Sequence, residues 1–134
     1  MPVFSAVQRG KCGELIAEAV FEENLYKSCR VNQEGFDLII FDEDEPFRVE
    51  VKTSSVVDGR SYCFMTSKGS GSKQPYTTDN VDLMCFVALD LRRIVVKCVS
   101  SVTQKRTRLR PSEFEKCEAT QIRKAIAEVR KRKC

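Results

Sequence analysis

The stretch "RVEVKTSS", residues 48–55, places a carboxylate and an ammonium group in a segment that otherwise has the composition of a buried strand. Successive side chains of a strand point to opposite faces, so Glu50 and Lys52 share one face, about 6 to 7 Å apart along the strand. Val49 and Val51 share the other face and can enter a core. The competing interpretation is a solvent-facing cross-strand ion pair, which would contribute little to stability.

The preceding apolar segment offers a second carboxylate for the same face. "GFDLIIF", residues 35–41, is rich in β-branched and aromatic residues and runs into the acidic turn "DEDEP". This pattern predicts two antiparallel strands joined by a short surface turn. Pairing around that turn would place Asp37 beside Glu50, with Lys52 nearby, at one end of a sheet.

An N-terminal helix offers a further acid. Between residues 11 and 21, apolar positions recur at three- and four-residue spacing, as on one face of an amphipathic helix: Cys12, Leu15, Ile16, Ala19 and Val20. If this helix packs over the sheet, Glu14 could point toward the other acids. Glu18 lies one turn later on a similar face, and periodicity does not distinguish between the two.

Two carboxylates buried close together cost several kcal/mol each unless a cation balances their charge. Mg²⁺ suits such a pair, because it binds one or two carboxylates, keeps several waters and accepts phosphate oxygens. A metal ion held in this way supports phosphodiester hydrolysis by activating a water and polarising the phosphoryl group. With two carboxylates beside it, Lys52 should stay charged, so we expect it to orient the attacking water and balance charge on the phosphate.

The rest of the chain predicts the elements that must position these residues. Strands are expected at "SYCFMT" (61–66), "VDLMCFVAL" (81–89) and "RIVVKCV" (93–99), the last two buried on both faces. A second helix is expected after "PSEFE", where Ser112 and Glu115 have capping-box spacing, with Ile122, Ile126 and Val129 on its buried face. The order predicts an α/β fold of the α+β layer type, a central mixed sheet of about five strands flanked by helices.

Composition limits the class of protein. The chain has 134 residues, 42% of them hydrophobic and 31% charged, which suits one globular domain over residues 1–134 and no membrane span. Its start does not resemble a secretory signal, so we expect a cytoplasmic protein of a bacterial, archaeal or phage-infected cell. Seven cysteines with no CxxC pair and no histidine favour reduced, mostly buried thiols over a zinc site.

Charge is divided unevenly along the chain. Residues 1–67 carry 7 Lys/Arg and 12 Asp/Glu, whereas residues 68–134 carry 16 and 7. This asymmetry indicates an acidic site in the first half and an anion-binding surface in the second. The candidate DNA-binding residues are Arg9, Lys11, Lys68, Lys73, Arg106, Arg108 and Arg110.

Each group of basic residues also has a plainer interpretation. Arg106, Arg108 and Arg110 alternate at strand spacing, so one face could present three guanidiniums to a phosphate track, or simply protect an exposed edge strand. Lys68 and Lys73 flank glycines in what reads as a surface loop. The basic run 130–133 is expected to be a solvated helix end.

Together, Glu14 after "GKCG", Asp37 in "GFDLIIF" and the Glu50-Val51-Lys52 triplet resemble the PD-(D/E)XK nuclease superfamily, which has the restriction-endonuclease-like fold. The N-terminal helix with its Glu is similar to archaeal Holliday-junction resolvases. The downstream "YTTDNVDLMCFVALD" and "TRLR" look closer to small intron-encoded homing endonucleases. One departure is visible: Phe36 occupies the position of the proline in the motif's name.

The resemblance implies a Mg²⁺-dependent DNA endonuclease in which Mn²⁺ can substitute. By it, Asp37 and Glu50 would be metal ligands, Lys52 the catalytic lysine and Glu14 an additional metal-site acid. A homodimer or higher homo-oligomer is expected, because a duplex has two strands to cut. The alternatives are a structure-selective Holliday-junction resolvase and a non-catalytic DNA-binding protein that keeps the fold.

Two further acids are excluded from the predicted site. Asp79 lies in "TTDN" and is expected to be a turn residue, while Asp82 enters an apolar strand and is expected to make a structural bond.

Overall fold

The computed structural model describes residues 5–33, 36–55, 57–68 and 74–133. Its helices are α1 (Ala6–Glu23) and α2 (Glu118–Lys133), and two short 3₁₀ helices span Val99–Ser101 and Pro111–Glu115. Its strands are β1 (Lys27–Gln33), β2 (Phe36–Asp42), β3 (Glu45–Ser54), β4 (Tyr62–Met65), β5 (Ser67–Lys68), β6 (Gln74–Pro75), β7 (Leu83–Ala88), β8 (Arg93–Cys98) and β9 (Arg106–Leu109).

A five-stranded mixed sheet forms the centre of the fold, with strand order β1-β2-β3-β7-β8. Neighbouring strands are antiparallel except β3 and β7, which run parallel. The α+β architecture and the mixed sheet of five strands are thus confirmed.

The membership of that sheet differs from the prediction at one strand. The segment 61–66 forms β4, which pairs with β9 in a separate two-stranded ribbon. The fifth strand of the central sheet is instead β1, an edge strand whose sequence, "KSCRVNQ", is mostly polar. Hydrophobic patterning missed β1 because this strand lies at the edge of the five-stranded sheet and several of its side chains are exposed.

The hairpin of β2 and β3 fixes the register on which the site depends. Glu43 and Asp44 both have positive φ, at 50° and 73°. Positive φ at both central residues is characteristic of a type I′ turn, whose twist matches that of the two strands in a tight hairpin. The turn pairs Asp42 with Glu45, and the same register continues to Leu38 and Val49.

The first of two cores lies between the sheet and both helices. Leu38, Val49 and Leu83, one residue from each central strand, are fully buried in it. The buried side of α1 consists of Gly13, Ala17, Val20 and Phe21. The predicted stripe is therefore wrong by about one position, and Leu15 is 48% exposed.

The reason for that shift is a close approach between α1 and β3. A Cβ on Gly13 would overlap Thr53 Oγ1 and lie 2.9 Å from Thr53 Cβ. The helix therefore turns Gly13 and Ala17 toward the sheet, and Leu15 of the expected stripe faces outward.

The second core lies on the opposite face of the sheet, beneath the β4–β9 ribbon. Phe64 of the ribbon stacks edge-on against Phe86 of β7 with ring centroids 5.0 Å apart. Tyr62 packs against Phe114 of the second 3₁₀ helix at 5.2 Å in the same manner. We call this second core the ribbon-side core; its buried residues are Tyr62, Phe64, Tyr76, Val81, Met84, Phe86, Ala88, Val95, Val99, Val102, Leu109 and Phe114.

The C-terminal part begins differently from the prediction. "PSEFE" is a 3₁₀ helix, and the side chain that caps it is Glu113, which accepts a hydrogen bond from the backbone N–H of Arg110 at 3.1 Å. The predicted pair, Ser112 and Glu115, therefore does not cap it. Helix α2 buries Ile122, Ile126 and Val129, as predicted.

The basic end of α2 binds to the hairpin turn rather than only to solvent. Arg130 forms ion pairs with Asp42 at 2.7 Å and with Glu45 at 2.8 Å. Lys133 lies 3.7 Å from Asp82 and over the ring of Phe47. The expectation of a purely solvated helix end is wrong for these residues, since the turn carries acids that complement them.

The described part of the chain contains no helix that is both long and apolar enough to cross a membrane. Its six cysteines are free thiols. Cys85 and Cys98 are buried, whereas Cys29 and Cys117 are exposed, so the expectation of mostly buried thiols is wrong.

Candidate active site

Asp37 and Glu50 meet across the β2–β3 hairpin. Because Leu38 pairs with Val49, Asp37 lies one position further along, opposite Glu50. The two carboxyl groups share a hydrogen bond, and Asp37 Oδ2 also accepts one from the backbone N–H of Val51 at 2.9 Å. The structure therefore brings together the two acids that the sequence placed side by side.

Burial makes this carboxyl pair electrostatically unusual. Glu50 is only 7% exposed, because its side of β3 faces the ribbon-side core next to Met84 of β7. Desolvation, followed by the hydrogen bond and the charge of Asp37, raises the pKa of Glu50 to about 9, against the smaller opposing effects of Lys52 and Tyr76. At neutral pH the pair therefore retains a proton that a solvated pair would have lost.

Lys52 lies on the same face of β3, two residues from Glu50. Its Nζ is 5.0 Å from the centre of the Tyr76 ring, within the range of a cation–π contact. The hydroxyl of Tyr76 donates a hydrogen bond to Glu50. Tyr76 is 8% exposed, and burial together with Glu50 raises its pKa, so the phenol stays protonated.

Arg48 completes this face of β3. Its Nη1 and Nη2 donate to the backbone carbonyls of Asp79 and Thr78 at 2.9 and 2.8 Å. Its Nε and backbone N–H both donate to Asp82 Oδ2, at 3.2 and 2.8 Å. Arg48 thus binds the turn 78–80, which follows Tyr76 in the chain, to the strand that carries Glu50.

Asp82 and Asp79 have the roles the sequence indicated. Asp82 is 2% exposed; burial alone would raise its pKa, but its hydrogen bonds to Arg48 and the nearby charge of Lys133 lower it. Asp79 is exposed in the turn.

Glu14 approaches the pair from α1, next to the contact between Gly13 and Thr53. Burial and the charge of Asp37 raise its pKa, with Glu18 adding to this effect and Arg30 opposing it. Glu18 forms an ion pair with Arg30 of β1 at 2.7 Å. Of the two helix acids left open by periodicity, Glu14 is the one acted on by Asp37, while Glu18 has a cationic partner of its own.

The donor chemistry of the pair fits a hard divalent cation. Two carboxylates with room for water are what Mg²⁺ accepts. The raised pKa of Glu50 indicates a site where a second negative charge is costly without a counter-ion. Within the described residues, no group of three or more Asp, Glu, His or Cys side chains is arranged to hold a metal ion. Asp37 and Glu50 would therefore hold it, with Glu14 nearby rather than in a preformed three-acid cluster.

The predicted DNA-binding residues fall in separate places. Arg106 and Arg108 are exposed on β9, on the same side of the ribbon as Met65 and Cys63. Arg110 is exposed beyond the end of β9, as the N-cap of the 3₁₀ helix. The predicted track of three arginines on one strand is therefore shorter by one.

The remaining basic candidates lie on α1 and around the loop. Arg9 and Lys11 are on the first turns of α1, ahead of Glu14, and Lys11 is exposed. The backbone of Lys68 is in β5, and Lys73 lies outside the described residues, as does Gly35, the first residue of the strand predicted at 35–41.

Sequence reasoning missed the roles of Arg48 and Tyr76. Alternation along β3 was a usable signal for Arg48, because it shares the face of Glu50 and Lys52. Tyr76 had no such signal, since its contacts depend on how a distant turn folds back onto β3.

No family model matches the chain, and no curated protein matches it. Among solved structures, the bacterial homing endonuclease I-Ssp6803I is similar, with 15% sequence identity, a TM-score of 0.71 and 87% of each chain covered. At this identity the likeness concerns the fold alone. It supports a homing-endonuclease-like fold, while membership of the PD-(D/E)XK superfamily and likeness to junction resolvases stay predictions.

Proposed function

We propose that this protein is a metal-dependent DNA endonuclease that hydrolyses phosphodiester bonds. The observation that carries the proposal is the contact between Asp37, which is half-buried, and Glu50, which is buried. The two carboxyl groups are joined by a hydrogen bond, and Lys52 lies two residues from Glu50 on the same face. A structural ion pair would not need two carboxyls in contact at a buried position. The fold shared with a homing endonuclease supports the same class of activity.

In this proposal, Asp37 and Glu50 hold Mg²⁺, for which Mn²⁺ can substitute, and Glu14 is an accessory acid. The cation supplies Lewis acidity to the phosphoryl group and a more acidic water. Lys52 orients the attacking water and balances the charge that develops on the phosphate. The apolar ribbon-side core limits water around Glu50, which strengthens the electrostatic interactions of these groups.

The contacts to DNA come from basic side chains outside the site. Arg106 and Arg108 on the exposed side of the ribbon are suited to phosphate contacts, with Arg110 beside them. Arg9, Lys11, Lys68 and Lys73 are further candidates. Because each duplex has two strands, a homodimer or higher homo-oligomer would place one site on each strand.

The preferred substrate is linear duplex DNA with a homing- or restriction-type recognition site. A Holliday-junction resolvase would instead prefer branched DNA of any sequence, and a non-catalytic DNA-binding protein would cut nothing.

The test is cleavage of supercoiled, linear and four-way-junction DNA in Mg²⁺, Mn²⁺ and chelator. We expect cleavage with either metal, none in chelator, and a loss of about 10²-fold or more in Glu50→Gln and Lys52→Ala. The matched controls are Glu115→Gln and Lys131→Ala, which make similar changes at exposed positions. Wild-type rates in both site variants would refute the assignment.

A further inference from the structure

Tyr76 contacts both of the β3 side chains that have a role in the proposed function, Glu50 and Lys52. It is 8% exposed and belongs to the ribbon-side core. Its hydroxyl donates to Glu50, and its ring faces the ammonium group of Lys52 at 5.0 Å from ring centre to Nζ. Tyr76 therefore contacts Glu50 through its hydroxyl and Lys52 through its ring.

A residue that only filled the core would not need this hydroxyl. A buried tyrosine must find a partner for its O–H, and phenylalanine fills nearly the same volume without that requirement. Here the partner is a carboxyl group that is itself buried. Without Tyr76, Glu50 would lose one donor, and the ammonium group of Lys52 would lose the ring beneath it.

The position of Tyr76 is set from β3 itself. Arg48 binds the backbone carbonyls of Thr78 and Asp79, and its guanidinium is in turn held by Asp82. These contacts fix the turn that begins immediately after Tyr76. The strand that carries Glu50 and Lys52 thus also holds the segment that brings the tyrosine to them.

We propose that Tyr76 is a positioning residue of the active site, which orients the Glu50 carboxyl with its hydroxyl and the Lys52 ammonium with its ring. This inference rests on the proposed function. Substituting a residue that forms a hydrogen bond to a metal ligand typically lowers metal affinity or activity by about 10- to 100-fold. Substituting an aromatic residue that only fills the core would change the stability of the protein alone.

Two variants separate the two contacts. Tyr76→Phe removes the hydroxyl and keeps the ring, so Mn²⁺ affinity measured by calorimetry should fall about tenfold. Tyr76→Leu removes both the hydroxyl and the ring. Its single-turnover cleavage rate at saturating DNA and Mn²⁺ should therefore be about two- to fivefold lower than that of Tyr76→Phe. The dissociation constant for DNA in chelator should not change in either variant.

A metal-free measurement tests the placement of Lys52 directly. The ε-methylene protons of Lys52 should be shifted upfield by the Tyr76 ring in NMR spectra of the wild type and Tyr76→Phe. In Tyr76→Leu this shift should disappear.

The matched control is Phe64→Leu, another aromatic of the ribbon-side core, which is 2% exposed and makes its ring contacts with Phe86 and Phe114. It should lower the melting temperature and leave Mn²⁺ affinity unchanged. If both Tyr76 variants bind Mn²⁺ and cut DNA like an active wild type, Tyr76 is a core residue and this inference fails alone. A wild type that neither binds Mn²⁺ nor cuts DNA would instead overturn the proposed function, and the inference with it.

Discussion

The protonated state of the Asp37–Glu50 pair should be visible in the stability of the metal-free protein. Glu50 has an ordinary pKa of 4.5, which the folded chain raises to about 9. Between these values the folded state keeps a proton that the unfolded state has released. Stability therefore falls as pH rises, with full stabilisation below pH 4.5 and the loss complete above about pH 9.

The size of the effect follows from one proton. Within this window the free energy of unfolding should fall by at most about 1.4 kcal/mol per pH unit because of Glu50. Between pH 6 and 8 the loss would be at most about 3 kcal/mol, a large fraction of the stability of a small domain. In Glu50→Gln, an isosteric neutral side chain can still bond to Asp37, so this component of the pH dependence should be absent.

The assay is urea unfolding in chelator at half-unit steps from pH 5.5 to 8.5, with the difference between wild type and Glu50→Gln plotted against pH. Glu23→Gln makes the same chemical change at the exposed end of α1 and should follow the wild type. Adding Mg²⁺ should flatten the wild-type curve, because a bound cation favours the ionised pair. A wild-type minus Glu50→Gln difference that does not vary with pH would show that Glu50 is ionised without a cation, and the argument for the metal site would fail.

Three substitutions test the contacts that position the site. Gly13→Ala should lower the free energy of unfolding by about 1 to 3 kcal/mol, because the new Cβ would overlap Thr53 of β3. Its control is Gly10→Ala, which has open space around the new Cβ and should raise the free energy of unfolding by up to about 1 kcal/mol in the same urea assay. Asp82→Asn should cost about 1 to 3 kcal/mol by leaving Arg48 without its counter-charge. Since the folded chain lowers the pKa of Asp82 from 3.8, the gap to wild type should close as pH falls below that value in acid unfolding. Arg130→Ala should cost about 1 kcal/mol, because both of its ion pairs are partly exposed, and a melt in about 1 M salt should reduce the difference; an unchanged melting temperature at low salt would contradict the role given to this arginine.

Much of the fold could be predicted because its central strands have strong local patterns. The apolar runs of β2, β7 and β8 and the acidic turn before β3 each indicate one local structure. β1 could not be found in this way, since an edge strand with polar residues takes its structure from the neighbour that it pairs with. The buried side of α1 was misassigned for a related reason: Gly13 counts little in an apolar pattern, yet it permits the closest contact of the helix with the sheet.

The candidate site also combines residues that local sequence patterns indicate with residues that they do not. Asp37, Glu50 and Lys52 could be grouped from sequence because a two-residue alternation and a short hairpin are local geometry. Tyr76 could not, because its contacts are made across 24 or more residues through a turn that Arg48 holds. Contacts of that range depend on the packing of the ribbon-side core, which no short stretch of sequence encodes.

The alternation in "RVEVK" gives the two faces of β3 different roles. Val49 and Val51 lie against the helices and hold β3 in the sheet, while Arg48, Glu50 and Lys52 face the ribbon side. A slip of one residue in the β2–β3 register would move the three charged side chains into the core between the sheet and the helices, at a cost of several kcal/mol each. The tight turn at Glu43 and Asp44 prevents that slip, so it fixes the site as well as the hairpin.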